Sequence, residues 1–446
     1  MIDFLICYEH VNREVENDAL IKYELERRGY TCEIIPHSGP RYGFYAHHKA
    51  RVVVAPWLRY DQDVQQFLPL CAKPHKIVNL QWEQVYSDFG IRNGLTATSG
   101  WSLSAKHLCW GEHARQRLLR DGATPQNLYV TGAIQMDYGR PRFHAYYHSR
   151  KALAEEYGLD PERPWHLLIS SFAYANYGEE NIAALEAQFH CSMTELVQVH
   201  RDSQRLTLDW IERFLKAHPD EFIYRPHPSE KNAPRLAEME TAYPNFHVIR
   251  EYSVKQWAIA ADHNYLWIST SLAEITAMGR ACHILRPIPI PPDLEVENMR
   301  ELPKITTLEG FLAAASADTD GECLTMTSME PFYHYDPAVP AYIRVADTLE
   351  QILHEPEGQQ FSFSASEHHS MENTKLRRCI VSRITDLSLA HPDADFLKFL
   401  PIKPVIKKNI RKAMLEYRRG QEMEHHILQY MADSEPSVEE KGGVSS

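Results

Sequence analysis

The stretch FIYRPHPSE, residues 222–230, begins as an apolar strand and ends in polar and rigid residues. Arg225 follows the apolar run, and His227 stands between two prolines, which fix the backbone φ angle on either side of it. In open parallel α/β sheets, residues that follow a strand lie at the carboxyl edge, where such folds bind ligands. The stretch therefore predicts a parallel α/β fold with a rigid imidazole at its binding edge.

Short apolar runs alternate with amphipathic ones along most of the chain. The first half has strand-like runs at residues 3–9 (DFLICYE) and 50–57 (ARVVVAPW), and a helical pattern at 112–122 (EHARQRLLRDG). Strand-like runs return at residues 165–172 (WHLLISSF) and 264–270 (NYLWIST). Strands that alternate with helices predict parallel sheets covered by helices on both faces.

This alternation occurs twice, and the charged stretch at residues 149–164 separates the two occurrences. We therefore predict an α/β chain with two tandem Rossmann-like domains, at residues 1–150 and 151–345. A polar helical segment is expected at residues 346–431. The last residues, 432–446, are polar and predict a disordered tail.

The bulk composition excludes several classes of protein. The 446 residues carry a formal net charge of -13, which argues against nucleic acid as the main partner. The N-terminal residues turn polar too early for a signal peptide, and no run approaches the ~18 apolar residues of a membrane span. The eight cysteines form no CxxC pair. We expect a soluble, cytoplasmic protein.

A second polar motif follows another strand, in LWISTSLAEITAMG, residues 266–279. Ser269, Thr270 and Ser271 stand where the strand gives way to a helix that carries Glu274 in its first turns. Hydroxyls and backbone N–H groups at a helix start suit a phosphate. The alternative is a capping box from Ser271 to Glu274, and the two interpretations are compatible because a cap can also bind an anion.

The residues around His227 supply the other half of this predicted site. Arg225 can pair with a phosphate or a carboxylate in bidentate fashion, and His227 can donate to a phosphate oxygen or protonate a leaving group. The alternative is an ordinary loop histidine after a buried strand. The hydroxyl-rich turn about two strands later favours the functional interpretation.

At these residues the sequence resembles a known family. RPHP followed by STSLAE resembles the nucleotide-binding half of GT-B glycosyltransferases of bacterial surface polysaccharides, and most closely those that use CMP-activated ulosonic acids, Kdo and sialic acids. CDP-glycerol phosphotransferases share a similar Arg-x-His-Pro segment. Residues 79–84 (NLQWEQ) and 109–137 resemble the N-terminal half of surface-carbohydrate enzymes, so the resemblance covers roughly residues 75–290.

The resemblance implies a GT-B fold in which the second domain binds the donor. His227 would contact the donor phosphate, and Pro228 would shape its loop. Three hydroxyl residues would bind the CMP phosphate or ribose: Ser269, Thr270 and Ser271. Glu274 would reach the ribose hydroxyls. Thr131 and Gly132 would line the cleft, with an ordinary strand-to-loop turn as an equal alternative.

Glycosyl transfer also needs a carboxylate, and the sequence offers several candidates. Glu83 follows an apolar strand, with Trp82 and Gln84 beside it as a sugar-binding wall. Asp202 is the second candidate, with a role as an acid just before a helix as its alternative. Glu195 is a third, or a plain solvated residue. We favour Glu83 and expect transfer with retention of configuration.

Further candidates line the predicted donor pocket. Arg201 would pair with the carboxylate of an ulosonic acid. Ser170, Ser171 and Asn176 belong to a loop that follows a strand, for which a plain surface loop is the alternative.

We predict no metal and no cofactor beyond the CMP-linked substrate. The Asp-x-Asp matches at residues 61–63, 318–320 and 393–395 do not follow apolar strands.

The segment at residues 396–420 predicts a basic amphipathic helix in an otherwise acidic protein. Its apolar positions recur at helical spacing at Ile406, Ile410, Met414 and Tyr417. Such helices lie on anionic membrane surfaces, which would place the protein peripherally on the inner face of the cytoplasmic membrane. The alternative is a helix that packs its apolar stripe on the body of the protein.

The favoured hypothesis is a glycosyltransferase that moves Kdo or a related ulosonic acid from CMP to a capsule or lipopolysaccharide glycan, which can be lipid-linked. One alternative is a CDP-glycerol-type polyol-phosphate transferase. Another is a non-catalytic scaffold of polysaccharide assembly, and a sugar-nucleotide epimerase is a third.

Overall fold

The structure, a computed structural model, describes residues 1–93, 97–231, 233–317, 324–392, 396–398 and 400–434. The chain divides into two compact units. Unit 1 comprises Met1–Gln84, Thr98–Ile134 and the chain from Asp336 onward, and unit 2 comprises Val85–Ala97 and Gln135–Tyr335.

Unit 1 is built on a parallel sheet that has six strands among the described residues: β1 (Ile2–Tyr8), β2 (Cys32–Pro36), β3 (Ala50–Ala55), β4 (Ile77–Asn79), β5 (Lys106–Cys109) and β6 (Leu128–Val130). Their order in the sheet is β2-β1-β3-β4-β5-β6. The central strands are buried on both faces, as the apolar run Ala50–Ala55 predicts. The order reverses between β1 and β3, as in flavodoxin-like sheets.

The helices of unit 1 are α1 (Glu16–Arg27), α2 (Tyr42–His48), α3 (Asp61–Phe67), α5 (Glu112–Asp121), α13 (Ala341–His354), α14 (Ala365–Ala390) and α15 (Pro404–Asp433), and a π-helical segment, Val11–Val15, precedes α1. The helices of unit 2 are α4 (Asp88–Arg92), α6 (Arg150–Tyr157), α7 (Glu179–Phe189), α8 (Thr194–Ala217), α9 (Pro234–Ala242), α10 (Val254–Ala260), α11 (Ser271–Ala277) and α12 (Leu308–Ala315). Short 3₁₀ segments occur at Leu68–Leu70, Gly100–Ser104, Pro125–Asn127, Ile134–Gly139, Pro141–Tyr146, Glu297–Met299, Met326–Met329 and Phe396–Lys398.

Unit 2 is built on a second parallel sheet: β7 (Trp165–Ile169), β8 (Glu221–Arg225), β9 (Phe246–Val248), β10 (His263–Leu266), β11 (Cys282–Leu285) and β12 (Lys304–Ile305). The order within the described residues is β12-β11-β10-β7-β8-β9. Counted from β7 as the first strand and read from the β9 edge, this is the 3-2-1-4-5-6 order of dinucleotide-binding folds. The order therefore reverses between β7 and β10, which is where such sheets bind ligands.

Large buried aromatic side chains fill the core of unit 2. Trp257 and Trp267 are fully buried, as are Phe214 on α8 and Phe222 on β8. This packing holds the strands of the sheet and the long helix α8 as one body. The strand ends at the carboxyl edge therefore have fixed positions relative to α8.

The division of the chain differs from the predicted domain boundaries at three places. Residues 85–97 and 135–150 belong to unit 2, and the helices from α13 onward belong to unit 1. The C-terminal helices join unit 1 through salt bridges to α1, such as Lys22 Nζ to Glu424 Oε1 at 2.7 Å. A sequence pattern cannot reveal such returns of the chain, because the contacts join segments far apart in sequence.

The predicted tail at residues 432–446 falls mostly outside the described residues. Helix α15 continues to Asp433, so the first two residues of the predicted tail are helical. Residues 435–446 lie outside the described part of the chain, as do two of the Asp-x-Asp matches, at residues 318–320 and 393–395.

Candidate functional site

Three neighbouring strands of unit 2 carry the polar motifs at their carboxyl ends. Strand β7 lies between β8 and β10, and it is followed by Ser170. The loop with His227 follows β8, and the turn that begins at Ser269 follows β10. Because neighbouring strands lie about 5 Å apart, the ends of β8 and β10, from which the two outer motifs extend, are separated by roughly 10 Å. The sheet therefore brings the two predicted motifs to one edge, at the point where the strand order reverses.

A buried carboxylate anchors the loop that carries His227. Glu230 is 4% exposed, and its Oε1 atom accepts hydrogen bonds from the Tyr224 hydroxyl at 2.7 Å and from Gln204 Nε2 at 3.0 Å. Its Oε2 atom accepts from the Ser170 hydroxyl and from the backbone N–H of His227. The backbone N–H of Glu230 in turn donates to the carbonyl oxygen of His227 at 2.8 Å. The turn between these two residues is thus closed by both side chain and backbone.

The imidazole of His227 is exposed above this anchored turn. Its Nδ1 atom accepts a hydrogen bond of 3.1 Å from the backbone N–H of Ser229. A backbone N–H is always a donor, so Nδ1 carries no proton in this arrangement and the ring proton of the neutral imidazole is on Nε2. His227 is therefore presented as an Nε2–H donor.

Arg225 is engaged with the neighbouring loop after β9. Its guanidinium donates to the carbonyl oxygens of Glu251, at 2.7 Å, and Tyr252. Burial lowers the pKa of Arg225 to about 10, and nearby charges, among them Glu251 and Glu274, act against this. The side chain still carries its charge at neutral pH. The guanidinium donors named above bind the loop after β9, so a bidentate contact of Arg225 with a phosphate stays a prediction.

The influence of Glu274 on Arg225 also links the two predicted motifs. Glu274 belongs to α11, which follows the hydroxyl-rich turn, whereas Arg225 ends β8. The charge of Glu274 raises the pKa of Arg225, against the larger effect of burial, so the two motifs interact electrostatically. Glu274 itself is half-buried.

The start of α11 differs from the capping box that the sequence allowed as an alternative. Thr270 is the N-cap residue and makes no side-chain cap hydrogen bond, and Ser271 is the first helical residue. The Ser269 hydroxyl accepts from the backbone N–H of Ser271 at 3.2 Å. The capping-box interpretation is therefore wrong, because Ser271 lies one residue too far into the helix. All three hydroxyl residues are half-buried.

A buried histidine on α8 belongs to the same region and was not singled out from the sequence. His200 is 5% exposed and packs edge-on against Trp267 and Tyr174, with ring centroids 4.7 and 5.0 Å away. Burial, and then the nearby His227, lower the pKa of His200 to about 3, so its ring is neutral at physiological pH. Its Nδ1 atom has no hydrogen-bond partner among the described residues. Its aromatic surroundings come from distant segments, which a local motif search does not detect.

The other predicted residues of unit 2 lie around the loop that follows β7. Arg201 donates from α8 to the carbonyl oxygens of Ala175, at 3.1 Å, and Tyr177, at 2.5 Å. Asn176 Nδ2 donates to the Lys231 carbonyl oxygen at 3.2 Å. Ser171 is half-buried and directly follows Ser170. These contacts tie the loop to α8 and to the His227 loop.

The sequence predicted that Asp202 lies just before a helix, and this was wrong. It lies inside α8, which begins at Thr194, and its carboxylate accepts from Gln198 Nε2 at 2.8 Å on the same helix. The predicted helix start was wrong because the apolar face of α8 begins several residues earlier than the strongest part of the pattern. Glu195 lies in the first turn of α8 and is exposed. A catalytic role for Asp202 stays a prediction.

In unit 1, Glu83 lies four residues beyond the end of β4 and is half-buried. Its neighbours do not form the predicted sugar-binding wall. Trp82 is 5% exposed, and Gln84 is 3% exposed and donates to the carbonyl oxygens of Leu80 and Leu108. Both side chains are buried inside unit 1, so the prediction that they form a sugar-binding wall was wrong. A catalytic role for Glu83 stays a prediction.

Thr131 and Gly132 form a turn after β6. Thr131 is 2% exposed, and its backbone N–H donates to the Cys109 carbonyl oxygen at 3.0 Å. Arg344 Nε donates to the Thr131 carbonyl oxygen at 2.8 Å, and Gly132 has a φ of 82°, which favours glycine. These are the features of the strand-to-loop turn, and a contact of either residue with ligand stays a prediction.

A cavity of ≈ 680 Å³ also opens in unit 2, beyond the ends of β11 and β12. None of the predicted site residues lines it. Its lining combines an apolar wall with charged residues: Asp88, Arg286, Pro287, Ile288, Pro289, Ile290, Pro292, Glu295, Arg300, Glu301, Lys304 and Thr306. The Arg286 guanidinium is already paired with Glu295, at 2.6 Å.

The structure also bears on the predictions about metal ions and membranes. Within the described ranges, His, Cys, Asp and Glu side chains nowhere gather in a group that could hold a metal ion. Asp61 and Asp63, of the first Asp-x-Asp match, accept hydrogen bonds from the backbone N–H groups of Trp101 and Arg59, respectively.

None of the described helices is both long and apolar enough to cross a bilayer.

The apolar stripe of α15 packs largely on unit 1. Ile410, Ile427 and Met431 are buried, whereas Ile406 at the helix start is 39% exposed. This is the arrangement that the sequence offered as the alternative to membrane binding. Leu415 remains 61% exposed on the face that also carries basic residues.

Comparisons with known proteins show the fold. No family model matches the chain. No curated protein matches it either. Among solved structures, Staphylococcus aureus MnaA with UDP matches with a TM-score of 0.52 at 13% identity, over 81% of this chain and 100% of that chain. The UDP-GlcNAc 2-epimerase from Neisseria meningitidis bound to UDP-GlcNAc matches with a TM-score of 0.51 at 10% identity, over 78% and 100%.

A wall teichoic acid polymerase, TagF, matches with a TM-score of 0.48 at 11% identity, over 79% of this chain and 88% of that chain. The first two comparisons, together with the two parallel sheets, confirm the predicted fold class: an α/β chain of GT-B type with two Rossmann-like sheets and additional C-terminal helices. At these identities they show the fold and leave the activity open.

Proposed function

We propose that this chain is a glycosyltransferase that takes a sugar from a nucleotide-activated donor bound at the carboxyl edge of the unit 2 sheet. One observation carries the proposal. His227 and the Ser269–Ser271 turn follow two strands that flank the same central strand, where the strand order reverses. Two hydrogen-bonding motifs that extend from strand ends roughly 10 Å apart suit a phosphate group between them.

In this proposal the exposed Nε2–H of His227 donates to an oxygen of the donor phosphate. In a single displacement, an acceptor hydroxyl attacks the anomeric carbon and gives its proton to a carboxylate that acts as base. The bond from that carbon to the phosphate oxygen breaks, and the phosphate leaves with the electron pair. Hydrogen bonds from His227 and from the hydroxyls of Ser269, Thr270 and Ser271 stabilise the charge that develops on the phosphate. Glu274 binds the ribose hydroxyls, and Pro228 restricts the His227 loop.

The positive charge on the anomeric carbon requires a carboxylate, for which Glu83 is the first candidate and Asp202 the second. In a retaining reaction this carboxylate first attacks the anomeric carbon and displaces the phosphate. The acceptor hydroxyl then displaces the carboxylate and gives its proton to a second carboxylate that acts as base. Arg225 supports the site indirectly, because it fixes the loop after β9 to the end of β8.

The donor we propose to test first is CMP-Kdo, followed by CMP-sialic acid, with a bacterial surface glycan as the acceptor. The RPHP and STSLAE motifs support this choice. A CDP-glycerol-type donor is the first alternative because of the similar Arg-x-His-Pro segment.

A sugar-nucleotide epimerase is the second candidate function. The specific reason to test it is that two solved structures that match with TM-scores above 0.5 carry UDP or UDP-GlcNAc. A non-catalytic scaffold of polysaccharide assembly is the remaining alternative.

Calorimetry with CMP, CDP and UDP tests whether the edge binds a nucleotide and which base it prefers. Incubation with labelled CMP-Kdo, CMP-sialic acid, CDP-glycerol and UDP-GlcNAc then separates the reactions. We expect CMP binding that His227→Ala weakens by roughly tenfold or more. The control His425→Ala removes an exposed imidazole from α15 and should leave affinity unchanged. Absence of binding to all three nucleotides would favour the scaffold.

A further inference from the structure

The anchor of the His227 loop is a single charged acceptor that four segments of unit 2 share. Glu230 receives donors from the end of β7, from β8, from α8 and from its own loop. Hydrogen bonds to a charged acceptor are roughly twice as strong as those between neutral groups. The position of the turn is therefore set by one carboxylate.

All four groups that face the carboxyl oxygens of Glu230 are hydrogen-bond donors, so Glu230 is their common acceptor. Ser170 and Tyr224 lie 2.9 Å apart, and each hydroxyl has only one proton to give. Burial, and then Glu230, raise the pKa of Tyr224 well above its ordinary value, so the phenol keeps its proton. Both hydroxyls therefore donate to Glu230 and not to each other, because a carboxylate is a stronger acceptor than a hydroxyl.

The same turn determines how the imidazole is held. The hydrogen bond from Ser229 N–H to His227 Nδ1 forms within the residues that Glu230 closes from both ends. If the turn opens, Ser229 N–H no longer faces Nδ1 and the ring is free to exchange between its two neutral tautomers. An exposed ring on a loose loop is a poor donor to a fixed phosphate oxygen.

We infer that Glu230 is a positioning residue, which holds His227 as an oriented Nε2–H donor at the carboxyl edge of the sheet. This inference rests on the proposed function, in which the oriented Nε2–H group of His227 donates to the donor phosphate. The orientation and tautomer of the ring can be measured without any nucleotide.

The first measurement is the ¹⁵N spectrum of the histidine rings in the full-length protein. His227 is assigned among the 24 histidines by comparison with His227→Gln. We expect well-separated Nδ1 and Nε2 shifts for His227, typical of one fixed tautomer, and a smaller separation for exposed histidines such as His425, whose tautomers average. A His227 signal that matches the averaged ones, or that shows a proton on Nδ1, would overturn the inference.

The second measurement uses Glu230→Gln, which keeps the side-chain volume but places an NH₂ group against donors. The separation of the two His227 shifts should fall towards that of His425, and CMP affinity should weaken about tenfold or more. The matched control is Glu221→Gln. Glu221 is also 4% exposed, stands at the other end of β8, and accepts from His247 Nε2 at 2.8 Å.

The control should leave both the His227 shifts and CMP affinity within about twofold of the wild-type values. Thermal unfolding checks that both variants fold. If Glu230→Gln does not fold, Tyr224→Phe removes a single donor from Glu230, with Tyr265→Phe as its control on β10.

Unchanged His227 shifts in a folded Glu230→Gln or Tyr224→Phe protein would overturn the inference, as would an equal change in the matched control. Failure of the wild type to bind any nucleotide would overturn only the proposed function, because the tautomer is read without a ligand.

Discussion

Arg225 Nη1 donates a hydrogen bond of 2.7 Å to the carbonyl oxygen of Glu251, and so joins the end of β8 to the loop after β9. The same guanidinium reaches the carbonyl oxygen of Tyr252, a residue in the left-handed region with a φ of 60°. A residue other than glycine adopts this backbone conformation at a cost in free energy, so the hydrogen bonds from Arg225 are needed to hold the loop.

Replacement of Arg225 by lysine should therefore loosen this loop. Lysine keeps the charge, but its ammonium group cannot match the planar arrangement that serves two carbonyl oxygens. We expect a loss of about 1–2 kcal/mol in the free energy of unfolding. Faster proteolysis at residues 250–253 and weaker nucleotide binding should accompany it. Arg205→Lys is the control and should change little, because this side chain is 58% exposed and pairs with Asp209 only at 3.6 Å.

The second prediction concerns the close approach of Gly139 to α11. A Cβ atom at residue 139 would collide with the backbone of Ala277 and Met278 at the end of α11. Gly139→Ala should cost about 1–3 kcal/mol in unfolding free energy and weaken nucleotide binding, because α11 must move. Gly178→Ala, where nothing lies within 4 Å of the new Cβ atom, is the matched control. Equal denaturant midpoints for the two variants would contradict the prediction.

The third prediction is loss of stability in acid through His166. This ring is fully buried on β7, and burial, followed by the charges of His263 and His218, lowers its pKa to about 2. The unfolded chain binds a proton below a pH of about 6.5 and the folded protein does not. The contribution of this group to stability is therefore present above pH 6.5 and is lost as the pH falls.

Between pH 7 and pH 5 this group should remove about 2 kcal/mol from the unfolding free energy. Urea titrations at the two pH values measure the change. The double variant His166→Phe with Tyr265→Phe removes the ring and its hydroxyl partner, whose oxygen lies 3.2 Å from Nδ1. It should show a smaller pH dependence, and an unchanged slope would assign the effect to other groups, such as the nearby Asp220.

The fourth prediction concerns the basic start of α15, which we propose contacts anionic lipid. Residues 401–420 contain seven basic residues and one acidic residue, in a protein of net charge -13. The protein should sediment with phosphatidylglycerol vesicles and not with phosphatidylcholine vesicles. Changing Lys407, Lys408 and Arg411 to glutamine should weaken binding by about 3 kcal/mol, roughly a hundredfold.

The control for the vesicle experiment changes three basic residues of unit 2 to glutamine: Arg205, Lys216 and Arg235. These should leave vesicle binding intact. Equal sedimentation with both lipids, or equal losses in the two triple variants, would show that α15 has only the structural role seen in its packing against unit 1.

Most strands were predictable because each is a local apolar run. The runs that became β1, β3, β7, β8 and β10 were all read from the sequence. Strand β12 was missed because two residues, Lys304 and Ile305, give no recognisable pattern. The start of α8 was misjudged because its first turns mix buried apolar residues, such as Val197, with exposed polar ones, such as Glu195.

The candidate site was predictable only where it follows a strand end. His227 and the Ser269–Ser271 turn stand out because polar residues interrupt apolar runs there. Glu230 was visible in the same stretch, but its role depends on Ser170 and Gln204, which lie 60 and 26 residues away. Trp82 and Gln84 show the opposite error, because a polar or aromatic side chain near a strand end can be a buried structural element.

The sequence by itself determined the alternation of strands and helices, and hence the two parallel sheets, because apolar periodicity and turn residues act over a few positions. Only the tertiary structure decided which strands became neighbours, which helices returned to unit 1, and which carboxylate holds the histidine loop. Those outcomes depend on packing and hydrogen bonds between segments far apart along the chain, where a local pattern carries no information about distance in space.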